Sequence, residues 1–257
     1  MESTVRDAVL DAGRTLGVPE QVTRAFIGLL RPCVHLCSYD RLPQELKKDA
    51  RPAARVAGLA RLPPDVKAPP GLPHVLTIDC AAIPSGILDI DFPADGHLVV
   101  HAEIANYPGE GAVVHLPAGT ETVEHPANER REKDAAELHE PFPLYAVPGT
   151  TQPDRDYFLE TPEAVDYAAE DAERMGLAER LIDEIEKFVY APWTYEVQLG
   201  GHSGAWHNPA EDRGDVLFIR IPESAVSHGD IYLTMITGAR EQIAERRYDE
   251  LDFEVEL

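Results

Sequence analysis

The sequence predicts an α+β fold in which most strands are antiparallel. Segments that alternate apolar and polar residues are short and are bounded by glycine- or proline-containing turns. Helical patterns occur in two blocks instead of between successive strands, and one strand–turn–strand pattern occurs twice. The order of helices, strands, helices and strands favours α+β over a doubly wound parallel sheet.

Residues 1–50 are predicted to form an N-terminal helical segment packed on the core. Apolar residues at helical spacing predict helices over 3–16 and 19–31, and Gly17 separates them. We expect the second helix to end where Pro32 intervenes.

Cys33 and Cys37 follow the second apolar stripe. Their spacing would stack the two thiols on one face if this region were helical. They do not form a Cys-x-x-Cys motif, so we expect buried, unreactive cysteines.

Residues 51–257 are predicted to form a duplicated β domain with units at about 55–125 and 192–257. Alternation places every second side chain of each strand on the buried face. The matching positions are Leu76 and Leu217, Ile78 and Ile219, and Gly96 and Gly229. The spacers before the two turns differ in length, and two unrelated hairpins of similar composition would give the same pattern.

A helical insertion is predicted around 161–190. Thr161 suits the N-cap and Pro162 the first helical position, and Gly176 is read as the end of this helix. An apolar stripe over 177–190 predicts a second, core-facing helix. Further strands are predicted at 112–116, 142–147, 194–199, 216–221, 231–236 and 252–257.

Composition limits the function classes. The 257 residues carry 23 basic and 46 acidic side chains, a net charge of −23. Such a surface repels phosphate, so neither nucleic acid nor an anionic membrane is expected as a partner. A basic protein partner, or no role beyond high solubility, fits better. No run of about 18 apolar residues occurs, and the three cysteines do not suit a disulfide framework. We therefore expect a cytoplasmic protein without a cofactor.

Several motifs occur in a defined order. They are Ala57-Gly58-Leu-Ala-Arg-Leu-Pro63-Pro, Leu76-Thr-Ile-Asp79-Cys-Ala-Ala-Ile-Pro84, Pro93-Ala-Asp-Gly96-His-Leu, Gln198-Leu-Gly-Gly-His-Ser-Gly-Ala-Trp-His207 and Gly229-Asp230-Ile-Tyr-Leu. In this order they resemble the YwqG-like family of bacterial proteins of unknown function, over roughly residues 50–257. The resemblance implies a mainly β, duplicated fold. The chain departs from the family pattern at two polar positions, where Thr77 and His207 replace glutamine.

The glycine-rich segment around His202 is the strongest candidate site. Its glycines allow close approach of a ligand, and His202, Trp206 and His207 supply rings for a pocket wall. Asp79, in the corresponding β unit, is the fourth candidate ligand-binding residue. A glycine-rich turn closed by an aromatic plug would give the same sequence. No catalytic set is recognised, and the spacing of His202 and His207 matches no metal-binding motif.

Three functional hypotheses follow. The first is a non-enzymatic protein-interaction role, such as immunity or partner binding through the acidic surface. The resemblance adds a specific partner, a basic toxin, because it implies an association with toxin neighbourhoods. The alternative is a small-ligand binder or an enzyme that uses a cleft between the two β units, and a structural protein without a ligand also fits.

Overall fold

The computed structural model describes residues 2–104, 109–126, 137–169, 171–189, 191–205, 207 and 209–257. In these ranges the strands are β1 (Arg31–Cys37), β2 (Ala54–Val56), β3 (Arg61–Leu62), β4 (His74–Asp79), β5 (His97–Glu103), β6 (Glu110–Leu116), β7 (Val123–Glu124), β8 (Phe142–Thr151), β9 (Val197–Leu199), β10 (Val216–Pro222), β11 (Leu233–Gly238) and β12 (Asp252–Glu256). The helices are α1 (Glu2–Leu16), α2 (Glu20–Leu29), α3 (Gln44–Lys47), α4 (Arg155–Leu159), α5 (Pro162–Ala168), α6 (Ala172–Val189), α7 (Glu223–Val226) and α8 (Arg240–Ala244). Single 3₁₀ turns occur at Tyr39–Arg41, Cys80–Ala82, Ala191–Trp193, Ala210–Arg213 and Tyr248–Glu250.

Ten strands form one antiparallel sheet in the order β12-β11-β10-β9-β1-β8-β2-β4-β5-β6, and β3 pairs with β7 in a separate small sheet. The predicted class, α+β with mainly antiparallel strands, is therefore confirmed. The β1–β8 pair stands at the centre, and its register runs from Arg31 opposite Thr151 to Cys37 opposite Tyr145. Four strands lie on each side of this pair. The repeated segments, β4–β5 and β10–β11, hold the same place in the two halves.

Each repeated hairpin has a helical turn between its strands, built with different side chains. Asp79 ends β4 and accepts the backbone N–H of Ala81 at 3.1 Å. In the other half α7 follows β10, and the buried carboxylate of Glu223 accepts the N–H groups of Ile231 and Tyr232, each at 3.1 Å. Hydrogen-bonded turns of this kind fix the register of the returning strand.

The two edge strands of the sheet approach each other, so the sheet curls around its inner face. Gly111 of β6 lies against the ring of Phe253 on β12, and a Cβ at Gly111 would overlap that ring. The His115 and Tyr248 rings meet at the same junction, with centroids 6.2 Å apart. Glycine at this position lets the two edges pack closely.

The principal core fills the inside of the curled sheet. Its fully buried side chains come from alternate positions on strands of both halves, as the period-2 pattern requires. They include Leu36, Leu76, Ile78, Leu98, Leu199 and Phe218. Burying a large apolar side chain contributes about 2 kcal/mol, so this shared core joins the two halves energetically.

A second core lies among the helices. Phe26 of α2 and Phe158 of α4 are fully buried, and their rings meet edge to face with centroids 4.8 Å apart. The turn after α6 places Trp193 flat on the ring of His35, at a centroid distance of 5.0 Å. The helical layer is thus connected to the outer face of the central strands. No helix within the described ranges combines the length and the apolar character needed to span a lipid bilayer.

Residues 31–37 lie within the segment 1–50 that was predicted to be helical, but they form the central strand β1. The sheet therefore extends into the N-terminal fifty residues. Cys33 and Cys37 lie on one face of this strand as buried free thiols. Burial raises the pKa of Cys37 to about 12, so the thiolate is disfavoured.

The helical insertion contains one correct and one incorrect prediction. Thr161 caps α5, where its hydroxyl accepts the N–H of Ala164 at 3.4 Å, and Pro162 is the first helical residue. Gly176, predicted to end a helix, lies inside α6. Helices tolerate an isolated glycine at a cost of about 1 kcal/mol, and the break between α5 and α6 comes earlier.

Candidate functional site

The glycine-rich segment after β9 is positioned by backbone conformation and by close contacts. Gly200, Gly201 and Gly204 have φ angles of 62°, 80° and 63°, which side-chain-bearing residues rarely adopt. Gly201 also lies against Thr151 and Cys33 of the central strands. The glycines therefore serve to bring this segment onto the β1–β8 pair.

His202 is buried at the centre of this segment. Its backbone N–H donates to Thr151 Oγ1 at 2.8 Å. Its ring Nε2 lies 2.7 Å from the carbonyl oxygen of Leu29 at the end of α2, and Nδ1 lies 3.5 Å from Glu211 Oε1. Both ring nitrogens face oxygen acceptors, one on the backbone and one on a carboxylate. The histidine connects a helix end to the Ala210–Arg213 turn.

Glu211 receives most of the polar contacts of the segment. Ser203 donates its backbone N–H to Glu211 Oε1 at 2.8 Å and its hydroxyl to Oε2 at 2.7 Å. Burial alone would raise the pKa of Glu211, but hydrogen bonds from His202 and Ser203 outweigh it and lower this pKa to about 2. Arg31 Nη1 adds a longer contact of 3.9 Å. Glu211 is therefore a carboxylate at neutral pH.

His202, Ser203 and Glu211 form one side of a cleft of about 350 Å³. The opposite side comes from α4 and its flanks, where Asp154 caps the helix by accepting the N–H of Asp156 at 2.8 Å. We call this feature the acidic cleft, after the five carboxylates that line it: Asp154, Asp156, Glu160, Glu211 and Asp212. No lysine or arginine occurs among the described residues of its lining.

The predicted site residues are divided between two places. His202 and His207 both line the acidic cleft, and the backbone N–H of His207 donates to Glu256 Oε1 at 3.0 Å. Asp79 lies in a different cavity, on the outer face of the first half of the sheet, which is formed by β2, β4, β5 and β6. Trp206 falls outside the described residues. The structure thus brings together the two histidines but not Asp79.

The arrangement around Ser203 suits binding better than nucleophilic catalysis. A serine nucleophile needs a base that accepts its proton. Here the hydroxyl of Ser203 donates to Glu211, whose lowered pKa makes it a weak base, and His202 contacts the same carboxylate. Across the residues with described positions, no three His, Cys, Asp or Glu side chains group as metal ligands.

Sequence reasoning did not find the α4 side of the cleft. Asp154, Asp156 and Glu160 stand about fifty positions before His202 in the chain and form no motif of their own. Only the fold, which packs α4 near the glycine-rich segment, makes them neighbours. The sole local signal was the acidic run after His207, which contains Glu211 and Asp212.

Comparisons with protein-family models and with curated proteins find no match to this chain. The resemblance to YwqG-like proteins therefore remains a prediction from the motifs.

Proposed function

We propose that this protein is a non-enzymatic binding protein that takes a basic side chain of a partner protein into the acidic cleft. The observation that supports it is the five-carboxylate lining, which has no lysine or arginine among its described residues; Arg31, outside the lining, lies 3.9 Å from Glu211. A volume of about 350 Å³ lies at the low end of the range for ligand sites, which suits a single side chain better than an extended ligand. Arginine fits such a site because its guanidinium donates to two carboxylates at once.

The charge of the whole chain supports the same partner chemistry. A net charge of −23 attracts cationic proteins over long distances and raises their association rate. Asp154, Asp156 and Glu160 are exposed, so a partner can reach them without unfolding any element. The resemblance to YwqG-like proteins adds the proposal that this partner is a basic toxin, which would make the protein an immunity factor.

The test is calorimetric titration with an octapeptide that carries four arginines, alongside the same peptide with citrulline in place of arginine. Citrulline keeps the shape and removes the charge, so we expect binding only to the arginine peptide. Raising the salt from about 20 to 200 mM should weaken that binding several-fold, because exposed charges are screened.

Variants locate the binding site. Asp156→Asn combined with Glu160→Gln should weaken binding about fivefold, since each lost contact between exposed charges is worth under about 1 kcal/mol. The matched control, Glu45→Gln with Asp49→Asn, removes the same charge from the exposed surface near α3. Equal losses in the two double variants would mean that general attraction, not the cleft, holds the peptide, and equal binding of the citrulline peptide would contradict the proposal outright.

A further inference from the structure

A second cavity, of about 370 Å³, lies on the outer face of the first half of the sheet. Its floor is formed by cross-strand neighbours: Arg55 pairs with Thr77, and Thr77 with Val99. The next row on the same face pairs Asp79 with His97. Alternate residues of a strand share a face, so these two rows form one surface.

The cavity combines an apolar surface with two arginines. Pro52 contributes exposed apolar surface, the buried side chains of Val99 and Leu116 form the floor, and Arg55 and Arg61 contribute guanidinium groups. The two arginines distinguish this cavity from the acidic cleft, whose described lining contains neither arginine nor lysine. They stand out in a chain with 46 acidic and 23 basic side chains. A guanidinium group paired with an apolar wall is the usual recognition chemistry for an organic anion.

The two arginines are held by partners that leave donors available. Arg55 Nη2 donates to the carbonyl oxygen of Leu59 at 2.7 Å, which uses one of the five N–H groups of its guanidinium. Arg61 donates from Nε and Nη2 to the hydroxyl and carbonyl oxygens of Thr122, each at 3.4 Å. Its Nη1 lies 3.5 Å from Glu124 Oε1, and the Arg61 and Glu124 side chains are 56% and 61% exposed. Such a solvent-screened pair contributes little, so a ligand carboxylate can replace Glu124. Asp79 is engaged in its turn through the N–H of Ala81.

We propose that this cavity binds a small organic carboxylate with an apolar body. The carboxylate pairs with Arg55 and Arg61, and the apolar body lies on Val99 and Leu116. This site is separate from the acidic cleft and does not depend on the function proposed for it.

The experiment is a titration of the full chain with 3-phenylpropionate in which binding is monitored by methyl NMR. The resonances of Val99 and Leu116 should shift in a saturable way. The neutral amide, 3-phenylpropionamide, should bind at least about tenfold more weakly, because it cannot form charge-assisted hydrogen bonds with the arginines. Equal affinity for acid and amide, or shifts confined to other methyl groups, would overturn the proposal. So would saturable binding of inorganic phosphate with no response to 3-phenylpropionate.

Two exposed variants give opposite expected effects. Arg61→Gln should weaken binding about threefold, and Glu124→Gln should strengthen it by a similar factor, because it removes the competing carboxylate. Arg24→Gln, on α2, is the control for a change of net charge and should leave the affinity unchanged. If Arg61→Gln and Arg24→Gln behave alike, or Glu124→Gln weakens binding, the arginine pair is not the recognition element.

Discussion

Glu211 organises the acidic cleft at the scale of single residues. One carboxylate accepts two hydrogen bonds from Ser203 and faces the ring of His202, so a single side chain fixes the path of the glycine-rich segment. Because the carboxylate is largely withdrawn from water, it depends on these donors for its stabilisation. Among the exposed acids of the cleft, Asp154 has a different structural role, because it caps α4.

Replacing this carboxylate tests that role. Glu211→Gln places an amide NH₂ against donors, and we expect the free energy of unfolding to fall by about 2 kcal/mol at pH 7. The exposed Glu241→Gln on α8 is the control and should change the free energy of unfolding by less than about 0.5 kcal/mol. Urea denaturation measures both, and a neutral effect of Glu211→Gln would show that the carboxylate is not needed.

The difference in the free energy of unfolding between the wild type and Glu211→Gln should depend on pH. The folded-state pKa of Glu211, about 2, lies below its ordinary value of 4.5. The stabilisation is therefore complete above pH 4.5 and is lost as the pH falls towards 2. Denaturation at pH 7, 5 and 3 should give a constant difference between the wild type and Glu211→Gln down to about pH 5, and a smaller one at pH 3.

Sequence reasoning identified part of this residue-level picture. His202 and His207 were found because four small residues around a histidine form an unusual local pattern. Glu211 was not singled out, since a glutamate in an acidic run looks like any solvated residue. Its role depends on contacts with Ser203 and His202, which appear only once the segment folds back on itself.

At the scale of elements, two glycines distinguish the effect of backbone conformation on stability from the effect of packing. A Cβ would meet nothing within 4 Å at either Gly176 or Gly17, but Gly17 has a φ of +74° whereas Gly176 lies inside α6. Gly176→Ala should therefore raise the free energy of unfolding by about 0.5–1 kcal/mol, and Gly17→Ala should lower it by about 1 kcal/mol. Differential scanning calorimetry should give melting temperatures that move in opposite directions. Shifts of the same sign would contradict this account.

The elements themselves were predicted unevenly, for a physical reason. Strands such as β4, where buried Leu76 and Ile78 alternate with half-buried Thr77 and Asp79, show a clear period and were predicted. β1 was missed because residues 33–37 are buried on both faces, so the alternation disappears. Pro32 near its start and the cysteines at positions 33 and 37 added no β signal. The short strand β2 was missed as well, since three residues are too few to show a period.

At the scale of the whole molecule, the contact between Gly111 and Phe253 joins the two ends of the sheet. Gly111→Ala should lower the free energy of unfolding by about 2 kcal/mol, because the new methyl group overlaps the Phe253 ring. In a Phe253→Ala background most of this loss should disappear, with a coupling energy of about 1–2 kcal/mol. Gly28→Ala, where a Cβ has open space, should be additive with Phe253→Ala. Additivity of Gly111→Ala with Phe253→Ala would show that the sheet ends are not coupled.

The global arrangement was only partly predictable. The repeated pattern around Leu76 and Leu217 indicated two similar β units, and these hairpins do stand at equivalent places in the sheet. The pattern could not reveal that both halves share one continuous sheet, because the joining strand β1 comes from residues assigned to the helical segment. Nor could it reveal the meeting of the edges, which depends on a glycine and a phenylalanine far apart in sequence.

The central place of β1 has a consequence for synthesis on the ribosome. β1 is synthesised before both of its partner strands: Arg31 pairs with Thr151, 120 residues further on, and Val34 pairs with Leu199. Until those partners are synthesised, both hydrogen-bonding edges of β1 lack a partner strand. Completion of the sheet therefore waits for translation of the C-terminal hairpins, and an apolar edge stays open to chaperones or to aggregation in the meantime.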